Sequence, residues 1–185
     1  MTKAILGASL AAIFAISMII TPAFATGHLT ITDSSAKITG QKLKVDITTA
    51  GTIPLDGSGG AFGYAVLTNG GTGALDNVLV LVTHLGIDDS GFEDPVSGIH
   101  THVLDLTGPS SPNCDGFDAE VDLAASVANS AFDPNYQWKV KNNNVKIRNV
   151  PLADLGGATE VLAVVAFTVT PVFDGPTLHL CVDVI

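Results

Sequence analysis

Residues 42–48 alternate polar and apolar positions, Lys42-Leu43-Lys44-Val45-Asp46-Ile47-Thr48. Successive side chains of an extended strand point to opposite faces, so this pattern predicts a strand with one wet and one dry face. Two other runs are apolar at every position, Val78-Leu79-Val80-Leu81-Val82 and Val161-Leu162-Ala163-Val164-Val165-Ala166-Phe167. They predict strands in the interior of a two-sheet packing. Short runs of this kind recur between clusters of Gly, Pro, Asn and Asp. Together they predict strands near 28–33, 42–49, 61–68, 75–84, 99–106, 117–127, 136–141, 144–149, 160–170 and 177–184.

Within 119–131 a short helix around Ala124-Ala125-Ser126-Val127-Ala128 is the alternative to a strand. Asn142-Asn143-Asn144 lies between two such runs, and Asn tolerates positive φ, which predicts a tight hairpin. The fold class expected from many short strands with turn signals is all-β: an antiparallel two-sheet β-sandwich, Ig-like or jelly-roll-like.

The first 25 residues break this pattern. Lys3 precedes an uncharged apolar run, Ala4 to Ile20, and Ala23-Phe24-Ala25 is a small-x-small cleavage site. This predicts a signal peptide over 1–25, removed on export, and a single domain over 26–185 with no membrane segment after cleavage. Loss of Lys3 takes the formal charge from −10 to −11. So acidic a chain is expected to repel nucleic acid and anionic membranes. Fifteen of the 18 acids are Asp, a turn former, which fits a loop-rich β protein. Six of the seven bases after the signal segment fall on 42–44 or 139–148, which reads as a lysine-guarded edge hairpin or a basic patch.

Cys114 and Cys181 are the only cysteines, and in an exported chain they predict one disulfide. The loop that they close is about 67 residues long, worth roughly 3–4 kcal/mol in the chain-entropy model. A copper thiolate is the alternative use of these sulfurs.

The candidate chemistry lies in the histidines. His100-Thr101-His102 places two imidazoles on one face of a strand. His84 ends the Val78-x-Val80-x-Val82-x-His84 face of another. If the two strands are antiparallel neighbours, three imidazoles meet at one end of the sandwich. A three-histidine set with an open position suits copper or zinc. Between them, Asp88, Asp89, Glu93 and Asp94 put four carboxylates in seven residues. This is a candidate calcium loop over 88–94, a source of carboxylates that orient an imidazole, or a solvated acidic loop.

Asp88 and Asp89 are possible further ligands, and Asp105 has the wrong strand parity. Cleavage after Ala25 would start the chain Thr26-Gly27-His28, an N₄ donor set for copper or nickel, unless His28 simply opens the first strand. His179, two residues before Cys181, is either a fourth ligand or packs beside the disulfide. There is no Gly-x-Ser-x-Gly, phosphate loop or dinucleotide fingerprint.

Two resemblances rest on these residues. Thr83-His84-x-Gly86-x-x-Asp89-Ser90, Asp94-Pro95, His100-x-His102, Cys114 and Cys181-Val182 resemble a pattern in small secreted archaeal β-sandwich proteins of unknown function. The order His100-x-His102, Cys114, Cys181 also resembles the Cu/Zn superoxide dismutase sandwich. There an His-x-His strand is followed by a cysteine bridged to one near the C-terminus. The chain departs from that pattern: it has no histidine-rich zinc loop after Cys114, no late copper histidine and no arginine just before the final cysteine. The resemblance therefore implies only the copper-like half of such a site. Three functions follow as expectations: an exported copper- or zinc-binding protein for binding, storage or delivery; a metal-free cell-surface module that contacts a surface or extracellular protein; and a metal-dependent enzyme, dismutase-like or hydrolytic.

Overall fold

The computed structural model describes residues 26–56, 58–84, 87, 98–108 and 112–185. The expected signal peptide and the acidic loop with Asp88 and Asp89 lie outside the described residues. Eleven strands are described: β1 Ile31–Thr39, β2 Lys42–Thr49, β3 Phe62–Thr68, β4 Val78–Thr83, β5 His100–Leu104, β6 Leu106–Thr107, β7 Ala119–Val121, β8 Gln137–Lys141, β9 Asn144–Pro151, β10 Val161–Asp174 and β11 Thr177–Val184. One helix, α1, spans Leu123–Ala128. The chain is an all-β, two-sheet antiparallel sandwich with a Cys114–Cys181 disulfide.

One sheet has four strands in the order β1-β2-β9-β8, the other seven in the order β5-β4-β3-β10-β11-β7-β6. The edges of the larger sheet, β5 and β6, are consecutive in the chain with only Asp105 between them. The sheet must therefore roll until its two edges meet at that corner, as a barrel does. Its alternating side chains then serve two cores. Phe62, Tyr64 and Val66 of β3 and Leu79 and Leu81 of β4 face the small sheet, against Leu43, Val45, Ile47, Val145 and Ile147. Ala65, Val80, Val82, Phe167 and Val182 face inward, into the lumen of the roll. This double demand explains why β4 is buried at every position. β10, although interior in strand order, is only partly buried, with Leu162 49% exposed.

Three sequence expectations need correction. The first strand begins at Ile31, not residue 28, because Thr26–His28 forms a 3-10 turn whose Gly27 backbone packs against Gly51. It then continues to Thr39 through Asp33-Ser34-Ser35, which is tolerable at a sheet edge where a wet face costs little. The expected strand over 117–127 is split, because Asp122 caps α1 by accepting a hydrogen bond from the Ala125 amide at 2.9 Å. β10 runs on to Asp174 through Pro171. Pairing with β3 ends at Thr168, so the proline removes no donor from a central ladder.

All seven Lys and Arg residues after residue 25 lie on the outer face of the small sheet. The register Lys37↔Lys44, Asp46↔Lys146 and Lys139↔Lys146 puts them on one side, opposite to the buried Val45 and Ile147. Asp33 and Asp46 are the acids that share this face, and Asp46 holds Arg148 at 2.6 Å.

Both tyrosines brace the core. The Tyr64 hydroxyl donates to the His28 carbonyl at 2.6 Å, and Tyr136 donates to the Asp154 carboxylate at 2.7 Å. Burial pushes both phenols well above the usual tyrosine range, with the Asp154 charge adding to the effect at Tyr136. A raised phenol pKa favours the fold while the unfolded phenol stays neutral, below about pH 10, and that contribution is lost as pH rises further. Absorbance at 295 nm is therefore expected to show no phenolate until alkaline unfolding begins. Gradual tyrosinate formation in a still-folded protein would contradict this. No helix among the described residues is long and apolar enough to cross a membrane.

Candidate metal centre

β4 and β5 pair antiparallel with Val82↔His100 and Val80↔His102 in register. His100 and His102 therefore share the lumen face with Val80 and Val82, and His84 follows two residues beyond Val82 on the same face. The ligand atoms of His84, His100 and His102 all lie within 4.8 Å of one another. His100 Nε2 stands 2.9 Å from His84 Nε2 and 2.8 Å from His102 Nε2. His100 and His102 are buried, and His84 is half-buried.

The opposite ring nitrogens fix the chemistry. His102 Nδ1 faces the Phe132 carbonyl at 2.9 Å, and His100 Nδ1 faces the Gly98 carbonyl at 3.3 Å. A carbonyl oxygen only accepts, so in the neutral imidazoles these Nδ1 atoms carry the protons and Nε2 carries the lone pair. Two Nε2 lone pairs 2.8 Å apart repel unless a cation lies between them. This is the arrangement in which outer hydrogen bonds orient imidazoles toward a metal. The donor set therefore fits a metal ion.

Residues 132–134 cover the edge of β5 and stiffen the site. The Val103 amide donates to the Phe132 carbonyl at 3.3 Å, and Thr101 Oγ1 donates to the Pro134 carbonyl at 2.9 Å. The Phe132 ring stacks on His102 with centroids 4.9 Å apart. Phe132 and Gly98 are the site residues that sequence reasoning missed. Their main contribution is through backbone carbonyls, which carry no sequence signature, although the aromatic ring could have drawn attention to Phe132.

The other candidates lie elsewhere. His28 is buried on the inter-sheet side, edge-on to Phe62 with ring centroids 4.6 Å apart, outside the group of three. His179 sits beside Cys181 on β11, on the face opposite the lumen-lining Leu180 and Val182, and its Nδ1 pairs with Glu120 Oε1 at 2.6 Å. Asp105 Oδ1 accepts from the Asn77 amide at 2.8 Å, on the strand parity opposite to the histidines. The candidate calcium loop at 88–94 lies outside the described residues. Cys114 and Cys181 are consumed by the disulfide, which removes the thiolate alternative and points to an oxidising, extracytoplasmic setting. Compared with known proteins, the chain matches no family model, no curated protein and no solved structure.

Proposed function

We propose that this is an exported metal-binding protein, copper first and zinc second, that holds its ion on the Nε2 atoms of His84, His100 and His102. Its role is binding, storage or delivery. The observation that carries the proposal is the approach of His84 Nε2 and His102 Nε2 to 2.8–2.9 Å from His100 Nε2, with the His100 and His102 tautomers set by backbone carbonyls. Two nitrogens at about 2.0–2.1 Å from one ion and about 90° apart stand about 2.9 Å from each other, against about 3.3 Å for a tetrahedral pair. The two separations from His100 Nε2 are nearer the first value, which suits tetragonal Cu(II). Copper kept as Cu(II) outside a reducing cytosol is matched to nitrogen ligands, and the likeness to secreted archaeal sandwiches is in keeping with export. Elemental analysis of the purified protein tests this. The expected result is one equivalent of copper or zinc, lost in a His100→Ala/His102→Ala variant. A wild-type protein that takes up neither metal overturns it.

A second reading, a cell-surface interaction module, has its own support in the basic face of the small sheet. Seven cations and two acids on one face give local positive potential on an acidic molecule. The protein is expected to bind a sulfonate resin at low salt despite its net charge of −10, and Lys139→Glu/Lys146→Glu to abolish retention. Wild-type flow-through at low salt would count against this reading.

A further inference from the structure

The rolled sheet lines a partly open cavity of about 250 Å³. Two register rows lead into it from the histidines. One runs His100, Val82, Gly63, Phe167 and the other His102, Val80, Ala65, Val165. Gly63 is required in the first row, because a Cβ there would lie 2.7 Å from the Phe167 ring and 2.6 Å from the Leu81 carbonyl oxygen. Its absence lets the aromatic ring lie across the strand.

Among the described residues the lining is aliphatic or aromatic except for His84, His102 and Asp118. Asp118 is engaged, accepting the Val184 amide at 2.8 Å. Among the described residues the lumen is thus an apolar chamber whose one concentration of polar atoms is the histidine end. An apolar void is destabilising in proportion to its volume. A cavity of about 150 Å³ lined only by apolar side chains stays dry and admits benzene. This one is larger and has a polar end, so its best occupant is longer than benzene and carries a head group.

We propose that the lumen binds a small amphiphile with an anionic oxygen-donor head, of the medium-chain carboxylate class. The apolar body lies against Val80, Val82, Phe167 and Val182, and the head meets the histidine end. The choice of an anionic head rests on the metal-binding reading, because three neutral imidazoles around a divalent ion leave a net positive centre. Body binding does not rest on it.

Octanoate is the probe, titrated calorimetrically into zinc-loaded and metal-free protein, with acetate as the control lacking a body. Octanoate is expected to bind the zinc-loaded form at least tenfold more tightly than the metal-free form, and acetate at least tenfold more weakly than octanoate. Ala119→Phe, which puts a ring into the lumen and leaves all three histidines in place, is expected to abolish octanoate binding and keep one equivalent of zinc. In case that variant fails to fold, isotope-edited nuclear Overhauser contacts from octanoate to Val80 and Phe167 in the wild type give the same information. If zinc does not bind but octanoate does, with those contacts, the metal reading fails and the lumen site stands. No octanoate binding to either form overturns the lumen site whatever zinc does, as would a lumen already filled by a segment of the chain itself. Binding that leaves Val80 and Phe167 untouched overturns it too.

Discussion

Adding Cu(II) or Zn(II) to metal-free protein is expected to raise its melting temperature, and His100→Ala/His102→Ala to erase the rise. A ligand that binds only the folded state stabilises it by RT ln(1 + [L]/Kd), about 2.7 kcal/mol at a free concentration of 100 Kd. For a domain of this size each kcal/mol moves the midpoint by about 2–4 °C, so the expected gain is about 5–11 °C. The metal-free protein starts from a disfavoured arrangement, with the Nε2 lone pairs of neutral His100 and His102 facing each other at 2.8 Å. Metal replaces that repulsion with attraction, whereas alanine at both positions only relieves it. The gain should also shrink as pH falls, because protons compete for the same lone pairs. An equal metal-induced shift in wild type and double variant would place binding somewhere else.

The second large effect is expected from the disulfide. Cys114 and Cys181 are 67 residues apart in sequence and bring their Cα atoms to 5.4 Å. Cys114→Ser/Cys181→Ser removes a cross-link worth about 3–4 kcal/mol, a fall in midpoint on the order of 10 °C. The bond fastens the Pro112–Cys114 turn to β11, where Cys181 also pairs with Glu120 of β7. Neither the Pro112–Cys114 turn nor β11 carries a member of the three-histidine group. The variant should therefore melt earlier yet keep its metal stoichiometry. Simultaneous loss of metal would show that the bond supports the site.

The convergence of the three histidines was legible because it obeys parity. His-x-His and Val-x-Val-x-His are statements about one face of one strand, and they need only an antiparallel neighbour to become a site. The alternation of 42–48 likewise foretold the wet and dry faces of β2. What was not legible depends on partners far away in the chain. That β3 pairs with β10, and that β5 runs into β6 to close the roll, cannot be read from periodicity, so the lumen was invisible. The cluster of six bases in two segments was visible, but its unity as one face needed the β2–β9 register. Lys37 joined that face only because Asp33-Ser34-Ser35, with the composition of a turn, is held extended against β2.

Closure at Asp105 has a consequence for the order in which the molecule assembles. β3, β4 and β5 are successive neighbours in the larger sheet, and the pairing of β4 with β5 completes the histidine group, whose members span positions 84 to 102. The lumen behind that group must wait for β10 and β11, whose first pairing partner, β3, was made roughly 100 residues earlier. Contacts of low sequence separation form sooner than distant ones. Pulse-labelled hydrogen exchange during refolding should therefore protect the β3–β4 and β4–β5 ladders before the β3–β10 ladder. A metal could then be captured on these early strands while the chamber is still open, and the last two strands would shut it in.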